Sequence, residues 1–220
     1  MSELFSIQLQ NRQQQGRDGV WLDLPTTTEQ VQVALRQIGI SSDNPQGLFI
    51  SGYFAEEEKR FAISYNMVLA SNVDELNFLA SRLETLSTGE RAELNAALQA
   101  PQSELSSIGR ITDFPENVDY YVHLPDVRGP AQLGDYYLNR SGMVDMPDEW
   151  KGGIDTAQFG RYVAQQEQGA FTQYGYLVKS GDEWQKVHEG QPVPEEYRVL
   201  SFPAPEVLRD AANILSLIHI

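Results

Sequence analysis

The chain has 220 residues, 41% of them hydrophobic, enough to bury a core, and its 31 acids against 16 bases give a net charge of −15. That balance argues against direct nucleic-acid binding, which draws on clustered Lys and Arg, and favours a basic partner or one that ordinarily holds nucleic acid. The absence of Cys excludes disulfides, thiolate metal sites and cysteine nucleophiles, and with no basic-then-apolar leader in "MSELFSIQLQ" and no 18-residue apolar stretch, neither signal peptide nor membrane span is expected and the expected location is cytoplasmic.

"LFSIQLQN" and "GVWLDLP" alternate apolar and polar residues, the pattern of two strands paired as a hairpin across the polar "RQQQGRDG" turn. In "TTTEQVQVALRQIG", Thr26 or Thr27 with Glu29 or Gln30 three residues on suits a capping box, Val31, Ala34, Leu35 and Ile38 share one helical face, and Gly39 is a natural stop. "GLFISGYF" and "FAISYN" are expected as two further strands around the charged turn "AEEEKR". Residues 1–66 are therefore expected to form an N-terminal α+β domain.

From Val73 the period becomes helical, with Leu76, Leu79, Ala80, Leu83 and Leu86 on one stripe. Ser87 with Glu90 starts a second helix carrying Leu94, Ala97 and Leu98. Residues 67–112 are expected as a helical middle domain. Residues 113–179 mix strand-like "DYYVHL", helical "AQLGDYYL" and "DTAQFGRYVAQQ", and strand-like "FTQYGYLV", which makes a C-terminal α+β domain. Residues 180–220 form a turn-rich extension of unknown role, ending in the apolar "LSLIHI", either a docking tail or an assembly scar.

Chemistry is sparse along the chain. His123, His188 and His219 have no second ligand at helical metal-binding spacing, and His123 sits in an alternating strand where a structural role is the simpler reading. Walker and GxGxxG loops and a nucleophile elbow are all missing, and "GGIDTAQFG" is a turn entering a helix. A pair of acids could serve a glycosidase, but among 31 acids such a pair carries no specificity. The chain is expected to be no enzyme and to use no cofactor and no metal. One stretch does stand out. Between Asp113 and Asp155 lie nine acids, Asp113, Glu116, Asp119, Asp126, Asp135, Asp145, Asp148, Glu149 and Asp155, against Arg128, Arg140 and Lys151.

Taken in order, "GVWLDLP", "LRQIGI", "DELNFLASRLETL", "QLGDYYL", "IDTAQFGRYV" and "FTQYGYLV" resemble the ArdA antirestriction proteins of mobile elements, over residues 3 to 179 or so. The resemblance implies an elongated α+β protein of three small domains that dimerises through its C-terminal region. It also implies a mimic of B-form DNA whose carboxylates stand for phosphates in the DNA groove of a type I restriction-modification complex. On that reading the nine acids are the partner-binding set, and Glu116, Asp119, Asp126 and Asp135 face outward while the tyrosines pack the third domain and its dimer contact. Two copies would carry about 30 net negative charges, as many as roughly 50 Å of duplex.

The chain departs from the family pattern in "SGYFAEEE", where Gly52, Phe54 and Ala55 precede the acids, and in "FGRYV", with Phe159 and Tyr162. Between Pro130 and Gly142 only Asp135 is acidic. Other targets also fit the charge, such as a CRISPR effector, as does a non-mimic acidic interaction module acting through the extension. On the mimic reading, deletion of residues 180–220 is expected to leave most inhibition in place.

Overall fold

A computed structural model describes residues 3–205 other than 15, 17 and 102. The closing "LSLIHI" lies outside the described residues. The fold mixes helices with two antiparallel sheets, an α+β architecture.

Strands β1 (Phe5–Asn11) and β2 (Val20–Leu24) pair as the expected hairpin, Gln8 opposite Trp21, and β3 (Leu48–Phe54) adds on the other side of β1. Alternation places Phe5, Ile7 and Leu9 on the inner face. Helix α1 (Thr28–Gln37) covers that face with Val31, Ala34 and Leu35. Its start is the predicted capping box, with Thr27 accepting from the Gln30 amide and Gln30 reaching back.

"FAISYN" departs from expectation, because residues 61–64 pair with no strand and Tyr65–Leu69 form a short helix, α2. Phe61 and Ile63 are buried as a strand pattern requires. Here, however, a side chain replaces the neighbouring strand: Asn95 Oδ1 accepts the Ala62 amide at 2.7 Å, and Asn95 Nδ2 donates to the Arg60 carbonyl at 3.3 Å. One buried amide thus satisfies backbone groups that alternation alone assigns to a ladder.

Helices α3 (Val73–Glu84) and α4 (Thr88–Gln99) begin with capping boxes at Asn72/Glu75 and Ser87/Glu90. The predicted stripe Leu76, Leu79, Ala80, Leu83, Leu86 is buried throughout. These residues join the inner face of the first sheet in one continuous cluster, so the packing does not break near residue 66. A short helix, α5 (Ile108–Thr112), leads into the third unit.

There, β4 (Tyr121–Leu124), β5 (Ala170–Thr172) and β6 (Gly175–Lys179) form a sheet in the order β4-β6-β5. "FTQYGYLV" is a hairpin rather than one strand, with Thr172 Oγ1 accepting the Tyr174 amide and donating to the Gly175 carbonyl. Helix α6 (Pro130–Asp135), continued by a π-type turn over 136–140, crosses α8 (Thr156–Glu167), and the short α7 (Asp148–Lys151) comes between them in the sequence. The crossing is close because it is built on two glycines. A Cβ on Gly160 would lie 1.8 Å from the Pro130 carbonyl oxygen, and one on Gly134 would lie 2.0 Å from that of Thr156. Adjacent residues of β6 then face opposite ways, Tyr176 into the α6–α8 cluster with Leu133 and Ala164, and Leu177 into the main core beside Tyr121.

The chain beyond β6 returns over the molecule as a strap. Asn117 takes both polar groups of the Gln185 backbone, at 2.7 and 3.0 Å. Asn77 donates to the Tyr197 carbonyl, and Asp74 Oδ1 accepts the amides of Val199 and Leu200 at 2.7 Å each. Ser42 finally donates its amide to the Pro203 carbonyl. His188 and Tyr197 pack against Phe78, and Val199 is buried in the main core. The segment is part of the fold, so removing residues 180–220 would strip buried partners from the middle of the chain. Deleting residues 180–220 would therefore remove structural contacts as well as any contact surface, so it does not by itself separate a mimic from an interaction module.

Candidate functional site

The nine predicted acids do not form one surface. Asp113, the C-cap of α5, is fully buried, and its carboxylate accepts the amides of Val187, His188 and Glu189 at 3.2, 2.6 and 3.1 Å. This corrects its place in the partner-binding set, because a buried carboxylate that caps three backbone amides is a structural anchor with no face left for a partner. Glu116 is half-buried against the Arg82 guanidinium, an intramolecular pair that spends its charge inside the protein. The expectation that Glu116 faces outward is corrected as well.

Asp113, Glu116 and His188 carry ligand-type atoms within 4.8 Å of one another. Three amides satisfy the Asp113 carboxylate and the Arg82 guanidinium pairs with Glu116 Oε1, while Glu116 Oε2 is buried with no hydrogen-bond partner among the described residues.

The other seven lie at or near the surface of the third unit. Asp135 is half-buried and pairs with Arg140 at 3.5 Å, and exposed Asp148 pairs with Lys151 at 2.9 Å, which holds its carboxyl below the usual range. Asp155 is exposed and caps α8 by accepting the Gln158 amide at 2.9 Å. Asp119, Asp126, Asp145 and Glu149 are exposed and make no hydrogen bond or ion pair among the described residues.

Helix α4 adds a carboxyl that pattern reading passes over. Glu93 is half-buried, its Oε1 has no partner among the described residues, and its pKa is pushed up to about 8 by burial first, then by the charges of Glu90 and Asp119. In the sequence it is one more polar residue on an amphipathic helix. What sets it apart is its burial first and then its place beside Glu90 and Asp119, and the burial and the Asp119 neighbour are created only by the tertiary fold.

Part of the expected tyrosine packing is present in the third unit. Tyr176 and Tyr121 are buried, and the Glu167 carboxylate accepts both the Tyr137 and the Tyr176 hydroxyls. His123 Nε2 lies 2.9 Å from the Tyr174 carbonyl within the second sheet, a structural position. No helix among the described residues is long and apolar enough to cross a membrane.

A family model for the antirestriction protein ArdA matches residues 15–178. No curated protein matches the chain.

Proposed function

The chain belongs to the ArdA antirestriction protein family, whose members inhibit restriction-modification, and we propose that it does so as a mimic of DNA. On this reading it occupies the DNA-binding groove of a host defence enzyme, a type I restriction-modification complex, and does no catalysis. It acts in the cytoplasm as a homodimer, needs no cofactor and does not bind nucleic acid itself.

The observation that carries this reading is the disposition of charge on the third unit. Asp119, Asp126, Asp145 and Glu149 are exposed and unneutralised by any ion pair among the described residues, in a chain of net charge −15. Carboxylates in water are ionised at neutral pH, so these positions hold charge as a phosphate backbone does. Two copies carry about as much charge as roughly 50 Å of duplex. A basic groove that condenses DNA would gain the same electrostatic attraction here, with the same steep loss as salt rises.

The test in cells is plating of unmodified phage on hosts that each carry one defined defence system. Expression of the chain should raise plating efficiency on a type I restricting host. Protection confined to hosts with an unrelated immune nuclease would contradict the assignment of target.

A further inference from the structure

The outer face of the first sheet holds an aromatic shelf. Gln8 pairs with Trp21 on one side and Gly52 on the other, and Ser6 pairs likewise with Asp23 and Phe54, so all six residues face the same way. The Trp21 indole lies across the sheet onto Gly52, where an added Cβ would sit 3.0 Å from the ring. Its edge meets Phe54, with centroids 6.4 Å apart at 73°. Both rings stay in water, Trp21 at 50% and Phe54 at 54% exposure, although each is large enough to help fill a core. Beside the shelf, β2 is a sheet edge, and between it and α1 runs an open groove of about 340 Å³. Val33 and Ala34 supply apolar lining, Asp23 and Glu29 supply negative charge, and neither Lys nor Arg lines it.

We propose that this corner is a docking site for an extended, arginine-bearing segment of the DNA-binding target, an inference that rests on the function proposed above. Each part of the corner answers one feature of such a segment. An exposed indole face attracts a guanidinium, Asp23 and Glu29 pair with it, and the outer edge of β2, which pairs with no further strand among the described residues, accepts extended backbone. The same sheet face already shows the contact within the chain, where the Arg12 guanidinium lies 5.3 Å from the centre of the Phe49 ring. Charge selects the occupant: the two carboxylates repel a phosphate, and a second copy of this chain brings the wrong sign. The shelf therefore supplies what scattered acids lack, a fixed apolar anchor that sets the register of the complex.

The experiment uses the full chain with Trp150→Phe and Trp184→Phe, leaving Trp21 as the single indole, and the methyltransferase core of a type I restriction enzyme as probe. Binding should shift and quench Trp21 emission. Trp21→Ala and Phe54→Ala should each weaken binding by about tenfold or more with the salt dependence unchanged, whereas Asp23→Asn with Glu29→Gln should reduce both. Melting curves verify that each variant is folded. Parent-like affinity of folded Trp21→Ala, or emission indifferent to the bound core, overturns this inference and leaves the mimicry standing. A concentration-dependent shift in the protein alone would assign the shelf to self-association and also overturns it. Failure of the parent to bind the core removes the reading on which the inference rests, and the inference with it.

Discussion

The backbone amide of His188 donates to Asp113 Oδ1 at 2.6 Å, tying the returning strap to the end of α5. Two further amides complete the cap, and the carboxylate has no exposure. The acid at the start of the most acidic stretch is thus a fastening. Asp113→Asn should put an amide nitrogen against backbone donors and cost about 3 kcal/mol of stability. Urea unfolding measures it, and protease cleavage within 182–203 should rise in parallel. A variant as stable as the parent would contradict the anchoring role.

The exposed acids should behave in the opposite way. Asp126→Asn, Asp145→Asn and Glu149→Gln remove charges without internal partners among the described residues, so melting temperatures should hold. Each should weaken binding to a type I methyltransferase core by less than about fivefold, and the triple variant should show a shallower salt dependence. A single substitution that abolished binding would point to a localised site instead of a distributed field.

Glu93 makes stability depend on pH. Its pKa is raised from 4.5 to about 8, chiefly by burial, so between those values the folded chain holds a proton that the unfolded chain has released. Stability is then full below about 4.5 and falls as pH rises through about 8. Because water still reaches the group, we expect the loss to be about 1–2 kcal/mol. Glu93→Gln should flatten this slope and be the more stable form above pH 8, as denaturant titrations at pH 6 and pH 9 will show. A steeper decline in the variant would contradict the assignment.

The α6–α8 crossing allows no side chain at Gly160, where a Cβ would sit 1.8 Å from a backbone oxygen. Gly160→Ala should force the helices apart and cost about 3 kcal/mol. Gly153→Ala, whose Cβ would meet its nearest atom at 3.4 Å, serves as the mild control. Equal melting points for the two would show that the crossing yields easily.

Much of the fold was legible in the sequence because local chemistry dictates it. Thr27, Ser87 and the Leu76–Leu83 stripe mark their helices through caps and periodicity, which depend on residues three or four apart. "FAISYN" misled because Phe61 and Ile63 alternate as in a strand while their polar partner, Asn95, lies on α4. The acid-rich stretch was visible as composition, but charge counts do not distinguish an exposed carboxylate such as Asp126 from a buried cap such as Asp113. That distinction depends on residues 187–189, more than 70 positions away. Trp21 carried a usable signal, since in "VWLDL" it alternates with buried Leu22 and Leu24 and falls on the solvent face with Asp23.

The mimicry itself is tested most directly by competition. Labelled duplex bound to a purified type I methyltransferase core is titrated with the protein at several salt concentrations. The account predicts full displacement of the duplex, with no complex that contains core, DNA and protein together, and an inhibition constant that weakens steeply as salt rises. Undiminished DNA binding at saturating protein, or a stable ternary complex, would contradict it.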